Sequence, residues 1–163
     1  MQGIDLIVCD LDGTLCDVVH RQHLAQAGAW DEFHGLLHMD TPRPVVLSFL
    51  KCLQDMDVPP RLTFLTGRPE THAPETMYWL FRQCDLFSGD DYDLLMRGKD
   101  EYGSDTVIKQ RLMESYLETF YSDSGITKEE WPSRILILDD RDKVVAHFRD
   151  LGYQCWQVNE GAF

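Results

Sequence analysis

Five short, almost unbroken apolar runs punctuate this chain of 163 residues, and they restrict its fold more than any other feature. They are "IDLIVC" (4–9), "RLTFLT" (61–66), "YDLLM" (92–96), "RILILD" (134–139) and "YQCWQV" (153–158). A strand with one wet face alternates polar and apolar residues; a near-continuous run marks a strand covered on both faces. Between the runs lie segments of helical periodicity: "PVVLSFLKCLQDM" from Pro44, "PETMYWLFRQC" after Ala73, "SDTVIKQRLMESYLETF" from Ser104 and "RDKVVAHFRDL" from Arg141. Ser104 has the character of an N-cap, and Gly152 that of the stop after the last helix. Strand–helix alternation requires right-handed crossovers, which predicts an α/β fold with a doubly wound, mostly parallel sheet. Residues 17–41 are expected to form a small helical insertion after the first strand, and 121–133 a surface loop. No linker divides the chain, so 1–163 reads as one domain.

In such a sheet, ligands bind beyond the carboxyl ends of the strands. The first run ends in Asp10-Leu11-Asp12-Gly13-Thr14, the second in Thr66-Gly67-Arg68, and the fourth in Asp139-Asp140. Lys109, on the helix after the third run, reaches the same rim. An "Asp-Gly" pair alone is ordinary turn chemistry. Several carboxylates converging on one rim are different, because they repel one another without a hard cation. Asp10, Asp12, Asp139 and Asp140 are therefore candidate metal ligands, and an all-oxygen set of this kind suits Mg²⁺.

The same residues suggest a reaction. An aspartate can attack phosphorus and form an aspartyl-phosphate, while a second acid serves the leaving oxygen and then the water. Asp10 and Asp12 share one side of an extended segment, as that pair of roles needs. The Thr66 hydroxyl and the Gly67 amide can cradle phosphate oxygens, with the Lys109 ammonium beside them.

Composition narrows the substrates. With 15 basic against 28 acidic residues and a formal charge of −13, the chain has no surplus of cations for coating nucleic acid non-specifically. A narrow basic pocket for one phosphate remains open to it. The five cysteines show no CxxC spacing and are expected as reduced thiols. No basic leader precedes the first apolar run and no run is long enough to span a bilayer, so a cytoplasmic protein is expected. The pairs His20/His23 and His34/His38 have helical ligand spacing, yet no third ligand joins them, so they are read as surface or packing residues. Trp79 and Trp156 are expected in the core, Trp30 and Trp131 at the surface, where Trp30 could stack on a base.

"DLDGT", "LTGR", Lys109 and "LILDDR", in that order, resemble the four motifs of the haloacid-dehalogenase (HAD) phosphohydrolase superfamily. More closely, "TGRPE", "SDTVIKQ" and "LDDRDKVVAHFRDLGYQCWQVNEGAF" resemble the 3′-phosphatase domain of phage-type polynucleotide kinase. The resemblance implies a HAD-like Rossmannoid fold, with Asp10 as nucleophile and Asp12 as general acid/base. It implies Mg²⁺ on Asp10, the Asp12 carbonyl and Asp140. Thr66, Gly67 and Lys109 would hold the phosphate, with Asp139 orienting Lys109. Arg21 and Arg68 fall at matching arginine positions, and Asp105 matches an acidic residue one helical turn before the lysine; all three are candidate substrate contacts. Arg97, at the end of the third run, is a weaker one.

The implied substrate is a phosphorylated nucleic-acid end or a nucleotide, with no membrane and no protein partner called for. Neither 17–41 nor any segment after Arg68 is long enough for a large cap, which leaves an open site. No GxxxxGK[ST] occurs, so no ATP-binding kinase half is expected among these residues. A second reading is the same chemistry on small nucleotides or sugar phosphates. A third, a phospho-accepting receiver domain, needs its acceptor aspartate after the third strand, where this chain has "LLMRGKD".

Overall fold

The computed structural model describes residues 3–161; the ends of the 1–163 domain reading, at 1–2 and 162–163, lie outside them. Five strands form a parallel sheet: β1 (Leu6–Cys9), β4 (Arg61–Pro69), β5 (Tyr92–Arg97), β6 (Ile135–Asp139) and β7 (Gln154–Gln157). A two-stranded antiparallel ribbon, β2 (Cys16–Asp17) with β3 (Thr41–Pro42), lies beyond the end of β1. The main sheet runs β5-β4-β1-β6-β7, so the chain builds outward from β1 to one side and then returns to build the other. In an open α/β sheet that reversal marks the ligand crevice, here at the carboxyl end of β1.

Alternate residues of β1 feed two separate cores, which is why the strand is apolar throughout. Ile7 and Cys9 join Leu62, Phe64, Leu136 and Leu138 beneath α3 (Pro44–Gln54) and α4 (Ala73–Trp79). Leu6 and Val8 join Leu65, Ile135 and Ile137 beneath α5 (Asp105–Phe120) and α6 (Asp142–Asp150), which contribute Met113, Leu117, Val145 and Phe148. Each such fully buried aliphatic side chain contributes about 1.5–3 kcal/mol. The expected doubly wound architecture is observed.

Between β2 and β3, residues 17–41 carry two short helices, α1 (Gln22–Gln26) and α2 (Trp30–Gly35), followed by a 3₁₀ turn at Leu37–Met39. This is the small helical insertion, and no large cap accompanies it among the described residues. The helix expected after Ala73 is shorter than its periodicity suggested. It passes into a π turn at Leu80–Cys84, and Asp85 closes it in the left-handed conformation at φ 58°. Ser104 occupies the N-cap position of α5, but its hydroxyl meets the Thr106 hydroxyl at 2.6 Å and no side-chain cap bond forms.

The loop at 121–133 is not wholly on the surface. Trp131 is buried and stacks on Tyr121 with ring centroids 6.1 Å apart, which pins the loop to the α5 side of the sheet. Trp156 is 52 % exposed, because it points outward from the edge strand β7 and touches Phe49. Those two tryptophans thus exchange the places expected for them, while Trp79 is buried and Trp30 exposed as anticipated. All five cysteines are free, and only Cys52 is exposed. No described helix is long and apolar enough to cross a membrane.

Candidate active site

After Cys9 the backbone leaves the sheet through one last ladder bond, from the Asp10 amide to the Leu138 carbonyl at 2.9 Å. It then turns sharply. The Thr14 and Cys16 amides both donate to the Leu11 carbonyl, and Gly13 adopts φ +92°. A Cβ at Gly13 would lie 2.2 Å from Asp140 Oδ2, so only glycine lets the β1 loop approach the end of β6 this closely. The Thr14 hydroxyl, buried beside it, donates to Asp140 Oδ1 at 3.2 Å.

Carboxylate oxygens of Asp10, Asp139 and Asp140 converge within 4.8 Å of one another. Lys109 reaches in from α5 and donates to Asp10 Oδ1 at 2.8 Å and Asp139 Oδ2 at 2.7 Å. All four side chains are buried. Three carboxylates therefore face one ammonium. Burial pushes Asp10 well above the usual carboxylate range; Lys109 opposes this, and Asp139 and Asp140 reinforce it. Asp140 is pushed up to about 6, by burial first and the Asp139 charge second. Burial disfavours the charged form of Lys109, but Asp10, Asp139 and Asp105 outweigh it and raise its proton affinity. A hard, oxygen-seeking cation would relieve this surplus of buried negative charge, so the donor set fits a divalent metal. Asp139 is already engaged on both oxygens, by Lys109 and by the Arg141 amide at 3.0 Å. Asp139 thereby holds Lys109 in place, with Asp10 and Asp140 beside it in the same surplus of negative charge.

The Asp12 carboxylate turns the other way. Arg68 Nε lies 3.0 Å from Asp12 Oδ2, its Nη1 donates to Thr76 Oγ1 at 3.2 Å, and its Nη2 bonds both Asp12 Oδ1 and Asp40 Oδ2. Arg21 Nε donates to Asp40 Oδ1 at 2.7 Å, while Nη2 bridges Asp12 and Asp40. The Arg21 guanidinium also packs on the Phe33 ring, 3.9 Å from its centroid. Both arginines are at most 1 % exposed. Their forks are filled by two aspartates, so they stand behind Asp12 instead of reaching a substrate, and the expectation for them is revised accordingly. Burial alone would raise Asp12, yet the charges and bonds of Arg68 and then Arg21 hold it well below the usual carboxylate range. Among the four aspartates expected to hold a metal, Asp12 is thus the one whose carboxylate is already paired with two guanidiniums.

Thr66, in β4 just before the register shift that precedes Pro69, is buried and its Oγ1 accepts the Arg68 amide at 3.3 Å, which leaves the hydroxyl hydrogen free to donate. Gly67 lies so close to Asp105 that a Cβ there would come within 2.6 Å of Asp105 Oδ1. Asp105 accepts from Arg141 Nη1 at 3.1 Å and sits 3.6 Å from Lys109 Nζ. It sits against two cations and also lines the cavity that the other site residues share. Asp10, Asp12, Thr66, Gly67 and Lys109 all open onto one cavity of about 690 Å³, with Trp30, His72, Arg97 and Lys99 among its other walls. Asp40 and Thr14 are the members that sequence reasoning missed. Thr14 closes the "DLDGT" motif but was given no role there, and no motif marks Asp40, which stands at the end of the helical insertion and reaches the arginines only through tertiary folding.

A Rossmannoid sheet with these acids, lysine and threonine beyond its strand ends defines a HAD-type phosphatase. Comparison with known proteins gives the family: residues 4–163 match the family described as "Polynucleotide kinase PNKP phosphatase domain", and the chain belongs to it. A relative in Autographa californica nuclear polyhedrosis virus, named a "Putative bifunctional polynucleotide kinase/RNA ligase", is 26% identical over 145 residues, covering 89% of this chain and 18% of its own. The fold is shared with a chain of the Pnkp1/Rnl/Hen1 RNA repair complex, at TM-score 0.71 and 24% identity, over 100% of this chain and 44% of that one. A haloacid dehalogenase-like hydrolase from Streptococcus pneumoniae superposes at TM-score 0.61 with 15% identity, over 98% of this chain and 88% of its own. The chain thus spans less than half the length of the first two. The receiver reading falls with this family membership.

Proposed function

We propose that this domain removes the 3′-phosphate from DNA or RNA ends through an aspartyl-phosphate on Asp10, with Mg²⁺ as cofactor. The observation that carries the reading is the opposed setting of two neighbouring aspartates, Asp10 against Lys109 and Asp12 against Arg21 and Arg68. Asp10 is the member held by Lys109, so it forms the bond to phosphorus as the bond to the 3′ oxygen breaks. Asp12 gives its proton to that leaving oxygen, then takes one from the water that attacks the aspartyl-phosphate; the cycle closes without net proton change. The arginine pair favours the ionised Asp12, the form the second half needs. A phosphate monoester, with its second ionisation near about 6, can bring the proton for the first half.

Thr66, the Gly67 amide and Lys109 orient the phosphate oxygens, and Lys109 stays charged throughout because two carboxylates hold it. Asp10, Asp140 and the Asp12 carbonyl would hold Mg²⁺, which supplies charge neutralisation between nucleophile and phosphate. We read residues 1–163 as one domain for this task. The small-metabolite reading is decided by the same experiment: turnover of a 3′-phosphorylated oligonucleotide, its 5′-phosphorylated counterpart and free nucleotides, each with Mg²⁺ and with excess chelator. The proposal expects preference for the 3′ end, loss under chelation and no turnover by Asp10→Asn. Preference for free nucleotides would overturn the substrate, and full activity in chelator would overturn the metal.

A further inference from the structure

Beside the phosphate cradle stands a set of aromatic rings that the chemistry above leaves unused. Trp30, at the start of α2, is 47 % exposed and lies in the cavity wall. Its ring stacks on His34 at 6.4 Å and 29°, and His34 stacks on His72 at 5.0 Å and 27°. Phe33 braces the Trp30 ring edge-on at 5.7 Å and carries the Arg21 guanidinium on its other side. The exposed ring is thereby fixed relative to Asp12. Arg97, the last residue of β5, and Lys99 just after it line the same cavity.

We propose that the ring of Trp30, backed by His34 and His72, is a shelf on which the base of the 3′-terminal nucleotide stacks, while Arg97 and Lys99 face the next phosphate of the strand. The proposal rests on the 3′-phosphatase reading and adds its substrate subsite. A nucleotide is a flat ring joined through a sugar to phosphate, and the cavity offers a flat ring beside a phosphate site. His34 carries no charge at neutral pH: burial, with His72 and the nearby arginines, outweighs the Asp12 charge and lowers it to about 4. Behind Trp30, His34 therefore presents a π face and no cation. Stacking of this kind accepts any base, so the site should show little sequence preference.

The test compares the parent enzyme, Trp30→Ala and Trp30→Phe on three probes: a single-stranded 3′-phosphorylated oligonucleotide, the same strand with an abasic 3′-terminal nucleotide, and p-nitrophenyl phosphate. Trp30→Ala should lower kcat/KM for the first probe, relative to p-nitrophenyl phosphate, by about 5- to 150-fold, chiefly through KM. Trp30→Phe should recover most of it. The abasic strand should be poor for the parent by the same factor and should lose nothing further in Trp30→Ala. Equal losses on all three probes, or none, would overturn the shelf while leaving the 3′-phosphatase reading intact. A parent enzyme that hydrolyses p-nitrophenyl phosphate but neither oligonucleotide would overturn both.

Discussion

Asp40→Asn isolates the arrangement behind Asp12. Asp40 is 1 % exposed and accepts three charged bonds, two from Arg21 and one from Arg68. Asparagine preserves its shape and removes its charge. Two buried guanidiniums would then share Asp12 alone, and an amide nitrogen would meet at least one of them. Uncompensated charge of this kind costs about 3–5 kcal/mol. At about 2–4 °C per kcal/mol for a chain of this size, the melting point should fall by about 6–20 °C. A control at the exposed Glu118–Lys128 pair, Glu118→Gln, should leave it unchanged.

The catalytic effect should be selective. The Asp40 charge raises the proton affinity of Asp12 across the shared guanidiniums, so losing it makes Asp12 a still scarcer acid. An oligonucleotide leaves as a poor, strongly basic alkoxide and needs that proton; p-nitrophenolate does not. Turnover of the oligonucleotide should therefore drop on the order of 10- to 100-fold more than turnover of p-nitrophenyl phosphate, within the roughly 10²–10⁴ that general acid catalysis contributes. Kinetics on both esters at a temperature where the variant stays folded, with urea melts of both proteins, make the measurement. Parent-like stability, or equal losses on the two esters, would refute the reasoning.

Gly13→Ala should cripple turnover and destabilise the fold by about 1–3 kcal/mol, because the new Cβ meets Asp140 and the backbone sits at φ +92°; parent-like kinetics would show that the close approach to Asp140 is dispensable. Asp93 accepts two bonds from Arg61 at 2.9 Å and one from Tyr116 at 2.6 Å, and the Arg61 bonds hold it below its ordinary value. A lowered carboxylate stabilises the fold above its unfolded value and loses that contribution as pH falls through the folded one. Asp93→Asn should thus flatten the acid limb of the stability curve below about pH 4, by under about 1 kcal/mol since solvent screens this half-buried pair. Urea midpoints of parent and variant from neutral pH into that window check this, and parallel curves would exclude Asp93 as the source.

The sheet was legible because its three inner strands, β4, β1 and β6, are buried on both faces, and the apolar runs of the edge strands β5 and β7 stand out even though those strands are only partly buried. Strand ends were less so. β4 runs on to Pro69, past the expected stop at Thr66, because a register shift between those residues keeps it paired with Arg97 of β5. The site residues were legible where motif and strand end coincide, as at Asp10, Thr66 and Asp140. The arginines were visible as residues but not as parts of a mechanism. Arg21 finds Asp40 across 19 residues and Arg68 finds Asp12 across 56, and no local pattern encodes such partners. Trp131 and Trp156 show the same limit, since burial at a loop and exposure at a sheet edge are decided by neighbours distant in sequence.

Two aspartates one residue apart thus enter opposite electrostatic surroundings, and the turn at Gly13 is what separates them. Asp12 joins a closed set, two carboxylates with two guanidiniums, whose charges cancel and whose donors are nearly all spent. Such a set has no unpaired charge to draw a ligand in; it fixes the position and the proton affinity of Asp12. Asp10 joins an open set, three carboxylates around one ammonium, which is poised for added positive charge and stays incomplete without it. A phosphate dianion approaching the open set alone would be repelled, whereas a divalent cation arriving with it turns repulsion into attraction. The closed set does not respond to that arrival, because its charges are already paired. Metal and substrate should therefore change the state of Asp10 strongly and the state of Asp12 little, which lets one residue react while its neighbour keeps the proton count.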